Sequence, residues 1–163
     1  MSMKNRLNPS TPGRRTVSRL AVGAVAVGTA VFGFPSASWA DDNYYDHCSR
    51  SDISCQTGVE VGGPDYDKCY QESTHDTIVC IKFAGDIVYV YDGSTDGNSA
   101  MGAVATPDAG SVSVRYCRNP HGSGTWAKCN FDWVEDTTKI VYGGVRIDSD
   151  SESMTRLWSF SNG

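Results

Sequence analysis

Beyond residue 40 the chain has no C-x-x-C pair, no cluster of Lys and Arg, no apolar stripe at helical spacing and no G-x-S-x-G elbow. The first absence argues against a zinc ribbon or a thioredoxin-like redox centre, both of which need closely spaced thiols. The second sets aside nucleic acid and anionic lipid as partners, since each is held by clustered basic side chains. Without a 3.6-residue period there is no amphipathic helix to expect, and without the elbow the common strand-to-helix serine nucleophile is missing. Histidine is scarce too: His47, His75 and His121 are the chain's neutral-pH bases. There is also no long linker, repeat or low-complexity run that would divide the chain into further domains.

The first 40 residues have a different character. Lys4, Arg6, Arg14, Arg15 and Arg19 precede an uncharged run from Leu20, which ends at Ser38-Trp39-Ala40 before Asp41-Asp42. A basic region, an apolar region and a small-x-small tripeptide are the parts of a signal peptide, predicted to be cut after Ala40. An uncleaved anchor over Leu20 to Trp39 is the alternative, but Gly23, Gly28, Gly33 and Pro35 interrupt it. Arg14-Arg15-Thr16-Val17-Ser18-Arg19 resembles a twin-arginine export motif. That route carries folded cargo from a reducing compartment, so the general secretory route suits a disulfide-bonded domain better.

Removing the leader leaves residues 41–163, or 163 − 40 = 123 residues, as a single secreted domain. All 19 acids remain and five of 14 bases go, so the net charge becomes 9 − 19 = −10. The six cysteines, Cys48, Cys55, Cys69, Cys80, Cys117 and Cys129, all fall in this part. An even count in a short exported chain predicts three disulfides, which six cysteines allow in about 15 connectivities, with a preference for neighbours.

Residues 41–67 are polar and turn-rich and read as an irregular arm fastened by Cys48 and Cys55. From Cys69 the apolar period becomes two. Pairing Glu72 with Thr77 across the Ser73 to Asp76 turn brings Cys69 opposite Cys80, which makes 69–80 the first bridge to expect. Ile78 to Phe83 and Ile87 to Tyr91 form a second hairpin, and the two-sided apolar character of the latter marks a central strand. Ala100 to Thr106 is a weak strand of small residues. Ser111 to Val134 reads as two strands joined by a Gly-rich loop, a hairpin with a cysteine at each shoulder. Thr138 to Asp148, with a bulge at Gly143-Gly144, and Met154 to Phe160 complete the pattern. These features predict an all-β fold, a small antiparallel β-sandwich or barrel of about seven or eight strands, disulfide-stabilised.

Two loops could carry chemistry. Asp92, Ser94, Asp96 and Asn98 place oxygens at alternate positions with Gly97 sixth, as the first half of a calcium loop does, but Ala103 stands at the twelfth position. An ordinary polar turn explains the same residues. His121 and Ser123 share the other loop, yet residues two apart do not by spacing form a dyad. No residue set implies a cofactor.

Cys117-Arg118-Asn119-x-x-Gly122-x-Gly124-x-Trp126-x-x-Cys129-Asn130, preceded by Asp92-Gly93-x-x-Asp96-Gly97-x-Ser99-Ala100, resembles a group of small secreted actinobacterial proteins. The likeness covers roughly Ile78 to Phe160. It implies an exported β-rich domain with a 117–129 bridge, and the group has no assigned activity to lend catalytic residues. The architecture is also similar, at the level of fold analogy, to small secreted β-sandwich enzyme inhibitors.

These readings lead to a secreted, monomeric, non-catalytic binding protein, inhibitor-like, that presents a disulfide-braced loop at 118–128 to an extracellular protein. Arg118, His121, Trp126 and Lys128 are its contact candidates, with Trp126 either an anchor or a lid over the bridge. The alternatives are a carbohydrate-binding module that stacks Trp126 on a sugar, and a small extracellular hydrolase using His121 and Ser123. Mass mapping of the unreduced exported protein is expected to find an N-terminus at Asp41 and three disulfides, and free thiols would overturn the redox argument.

Overall fold

Ile78–Lys82 and Ile87–Tyr91 alternate so that Val79, Ile81, Val88 and Val90 fall on one face, and all four are completely buried. The computed structural model describes residues 44–108 and 111–161. The expected leader and Ala109-Gly110 lie outside the described residues.

Ten strands are present among them: β1 (Ile53–Thr57), β2 (Val59–Val61), β3 (Lys68–Gln71), β4 (Ile78–Lys82), β5 (Ile87–Tyr91), β6 (Ser99–Asp108), β7 (Ser111–Asn119), β8 (Trp126–Asn130), β9 (Thr138–Arg146) and β10 (Glu152–Ser161). They form two five-stranded sheets, β1-β7-β6-β9-β10 and β2-β8-β5-β4-β3. The all-β sandwich expected from the sequence is therefore observed, open rather than closed into a barrel, and stapled by disulfides 48–55, 69–80 and 117–129. β5 occupies the centre of its sheet, as its two apolar faces require. Cys69 stands opposite Cys80 in the β3–β4 register, the pairing set by the intervening turn.

Several expectations need correction. Residues 41–67 are not an irregular arm: they supply a 3-10 turn (Asp46–Ser49), β1 and β2, so the strand count rises to ten. β1 pairs with β7 in parallel, against the otherwise antiparallel pattern. Ser111 to Val134 is not a hairpin, because β7 belongs to the first sheet and β8 to the second. The small-residue strand β6 is ten residues long and lies at the middle of its sheet. Its small side chains are a requirement of close packing: a Cβ on Gly102 would lie 2.8 Å from Val90 Cγ2 and 3.1 Å from Val79 Cγ1. The register of β9 runs unbroken through Gly143-Gly144, and the bulge lies instead in β10 at Leu157, between Arg156 and Trp158. That extra residue lets Leu157, Trp158 and Phe160 all join the core between the sheets.

The outer face of the first sheet has a core of its own. Tyr44, Tyr45 and Cys48 lie over Met101, Ala103 and Tyr116, so the N-terminal turn covers part of that face. Tyr44 donates its hydroxyl to the Tyr116 carbonyl at 3.1 Å, and Arg146 donates to the Tyr44 carbonyl. On the second sheet, β2 and β3 are opposite edges, and residues 62–67 connect them across the outer face. Asp65 pairs there with Lys82 of β4, Phe83 donates its N–H to Asp67, and Tyr89 beneath is only 5% exposed.

The β3–β4 turn is fixed by Glu72, a carboxylate 3% exposed that accepts the N–H groups of Thr74 at 2.7 Å and His75 at 2.8 Å. Burial alone would raise its pKa, but the amide bonds outweigh that cost and hold it below the ordinary 4.5. A depressed folded-state pKa adds stability at pH values above the unfolded one, and that contribution is lost as pH falls through the folded value. Glu72→Gln is expected to cost about 1–3 kcal/mol at pH 7 by urea unfolding, with the gap to the parent closing in acid.

Candidate functional site

The loop between β7 and β8 is built around Asn119, which is completely buried. Its Nδ2 donates to the carbonyls of Val90 at 3.1 Å and Thr125 at 2.9 Å, while its Oδ1 accepts the His121 N–H at 3.1 Å. Thr125 Oγ1 donates to the Gly122 carbonyl at 2.6 Å, and a paired set of backbone bonds ties Asp92 to Gly124 and Thr125. Gly122 at φ 90° and Gly124 at φ 85° occupy the left-handed region that such a turn needs. Above this framework, Pro120, His121, Gly122, Ser123 and Gly124 are all exposed. An ordered backbone and an exposed tip thus coincide.

Gly58 runs alongside. It carries the chain from β1 in one sheet to β2 in the other, donates its N–H to the Arg118 carbonyl at 2.8 Å, and holds His121 Nε2 against its own carbonyl at 2.8 Å. That contact casts His121 as a ring N–H donor at Nε2 and makes it part of the loop's fastening. His121 and Ser123 share no hydrogen bond among the described residues.

The four contact candidates do not converge. Trp126 and Lys128 are on the outer face of the second sheet, since Ala127 and Cys129 between and beyond them are buried in the core. Arg118 is on the outer face of the first sheet beside Tyr116, where its Nε donates to Ser99 Oγ at 3.0 Å and its guanidinium lies 5.7 Å from the Tyr44 ring. It therefore does not flank Trp126, as adjacency in the sequence suggested. Trp126 is also no lid over the bridge: Cys117 and Cys129 are completely buried between the sheets, and the indole is on the other side of β8.

The registers give Trp126 a different setting. Val61, Trp126, Tyr91 and Ile78 stand opposite one another across β2, β8, β5 and β4, and all four are partly exposed. The Tyr91 and Trp126 rings sit 5.0 Å apart with a 40° tilt, a cross-strand aromatic pair. This row was not visible in the sequence, although the outward parity of Tyr91 and Trp126 could be counted there.

The two loops singled out from the sequence meet. Asp92, Ser94, Asn98 and Ser99 from one, with Pro120, Gly122 and Ser123 from the other, line a cleft of about 270 Å³ rich in hydroxyl and amide groups. Asp92 Oδ1 accepts the Ser94 N–H and Asp96 Oδ1 accepts the Asn98 N–H, so both carboxylates serve the turn itself. Burial pushes the Asp92 carboxyl above its ordinary range. The described residues contain no cluster of three or more His, Cys, Asp or Glu arranged to hold a metal ion.

Asn119→Ala would remove the buried amide that joins the Val90 and Thr125 carbonyls to the His121 N–H. It is expected to cost about 1–3 kcal/mol and to open the loop to proteolysis between residues 120 and 125, seen by thermal unfolding and limited digestion. Compared with known proteins, the chain matches no family model, no curated sequence and no solved structure.

Proposed function

We propose that this is a secreted, non-catalytic binding protein whose contact surface is the 118–128 loop together with the adjoining Trp126 row. The observation that carries this reading is the combination at one loop of an exposed tip and a backbone ordered from beneath by buried Asn119. A segment already held in one conformation loses little entropy when it docks, so most of its contact energy appears as affinity. Trp126, half-buried beside Tyr91, supplies the rigid aromatic anchor that such surfaces use. Lys128 on the same face gives a cation to a chain that is otherwise acidic.

Export follows the same line. Three disulfides fit an extracellular protein, and no helix among the described residues is long and apolar enough to cross a membrane. The leader over residues 1–40, cut after Ala40, completes the proposal for its route.

The Tyr91–Trp126 pair also supports a second reading, a glycan-binding face. A 40° tilt makes the pair a ridge rather than a flat plate, which suits insertion into a protein groove better than stacking on an extended polysaccharide.

A pull-down from the producing organism's cell surface and medium, with insoluble polysaccharides in parallel, separates the readings. Trp126→Ala is expected to weaken capture of the protein partner by about 10–100-fold, and alanine substitutions over Pro120 to Ser123 by less. Interactions that survive every one of these changes would overturn the proposal. Binding to polysaccharide alone, lost with Trp126→Ala, would establish the glycan reading.

A further inference from the structure

The first sheet has a recess on its outer face, beside the N-terminal turn and sharing Ala103 and Tyr116 with it. β6 contributes only Ala103 and Ala105 to its floor, whereas the flanking strands contribute Tyr116 and Tyr142. Large side chains beside small ones leave a recess of about 310 Å³, lined further by Val112, Val114 and Met154. A volume of that order sits at the lower end of the range for small-molecule sites, about 300–1,000 Å³.

Glu152 is the one charged side chain lining the recess. Tyr116 donates its hydroxyl to Glu152 Oε1 at 3.2 Å, so the carboxylate is positioned at the aromatic wall. The register places Arg146 directly opposite Glu152, the arrangement from which a cross-strand ion pair is expected. Arg146 instead directs its guanidinium at the Tyr44 carbonyl, 3.0 Å away, and lies over the Tyr45 ring. Glu152 forms no ion pair with any described residue. Arg146 is thus bonded to the N-terminal turn and not to Glu152.

We propose that this recess is a binding site for a small organic ammonium ion with an apolar body. The floor and the valines would hold the apolar part, the Tyr116 and Tyr142 rings would face the cation, and Glu152 would supply the opposite charge. A carboxylate held beside aromatic rings and outside any ion pair selects such a ligand over a neutral one of equal shape. An anion is excluded by the same carboxylate and by the acidic balance of the chain, 19 acids against 14 bases.

The site is separate from the Trp126 surface, which lies on the other sheet. Phenethylammonium is the probe and phenethyl alcohol its neutral counterpart, each titrated into the exported protein and followed by methyl-region NMR. The ammonium is expected to shift the Ala103, Ala105 and Met154 methyl signals and to bind at least about tenfold more tightly than the alcohol. Glu152→Gln, with thermal unfolding confirming the fold, is expected to abolish that preference. Ala105→Leu should block both probes by filling the recess, and Trp126→Ala should change neither. Equal binding of the two probes, an unchanged preference in Glu152→Gln, or no shifts at millimolar ammonium would each overturn the proposal.

Discussion

The two sheets are pinned together from inside by the Cys117–Cys129 bridge. Stacked sheets ordinarily stand about 10 Å apart, but here the bridged Cα atoms of β7 and β8 are 5.8 Å apart. The sandwich is therefore pinched at one place, and the sequence around it is shaped by that pinch. Gly102 pairs directly with Cys117, Ala100 with Asn119, and Ala127 precedes Cys129 by two residues on the same buried face. Large side chains could not occupy these positions without forcing the sheets apart. Away from the pinch the core admits Phe131, Trp133, Trp158 and Phe160. Small residues at one end and aromatic rings at the other are two parts of a single wedge-shaped interior.

The same constraint organises the surface. Because β7 and β8 lie in different sheets, the chain between them must cross the end of the sandwich, and Gly58 makes the same crossing beside it. Asn119 then ties the crossing to β5 through the Val90 carbonyl. Rigidity in the 118–128 loop is thus a by-product of joining the sheets. It leaves the outer face of each sheet to carry a different surface, with an aromatic row on one and an aromatic recess on the other.

Much of the fold could be read from the sequence wherever it was local. The 69–80 bridge followed from a four-residue turn, and the Ile78 to Tyr91 hairpin from two short apolar runs either side of a turn. Alternation could not distinguish a hairpin from a crossing at Ser111 to Val134, because inward and outward parity is the same whether the second strand returns to its own sheet or enters the facing one. For that reason Arg118 and Trp126 were grouped together although they sit on opposite outer faces. β1 was hidden for another reason: its partner, β7, is about sixty positions away, and its buried inward residue is Gln56, a polar side chain. Gln56 earns burial by bonding Asn130 through both its amide groups, a compensation that composition alone does not reveal.

The parallel pairing of β1 with β7 also sets a sequence of events. β1 is the first strand in chain order, and residue 53 must wait for residue 114 before its ladder can close. Residues 62–67 likewise cannot lie across β8, β5 and β4 until those strands have assembled. Contacts this distant are slow to form because the loop entropy is lost before they stabilise anything. The β3–β4–β5 meander, with near-neighbour pairings and an internal bridge, is the natural nucleus, and the N-terminal strands lock on afterwards. β1 and β2 are thus the last strands to find their place.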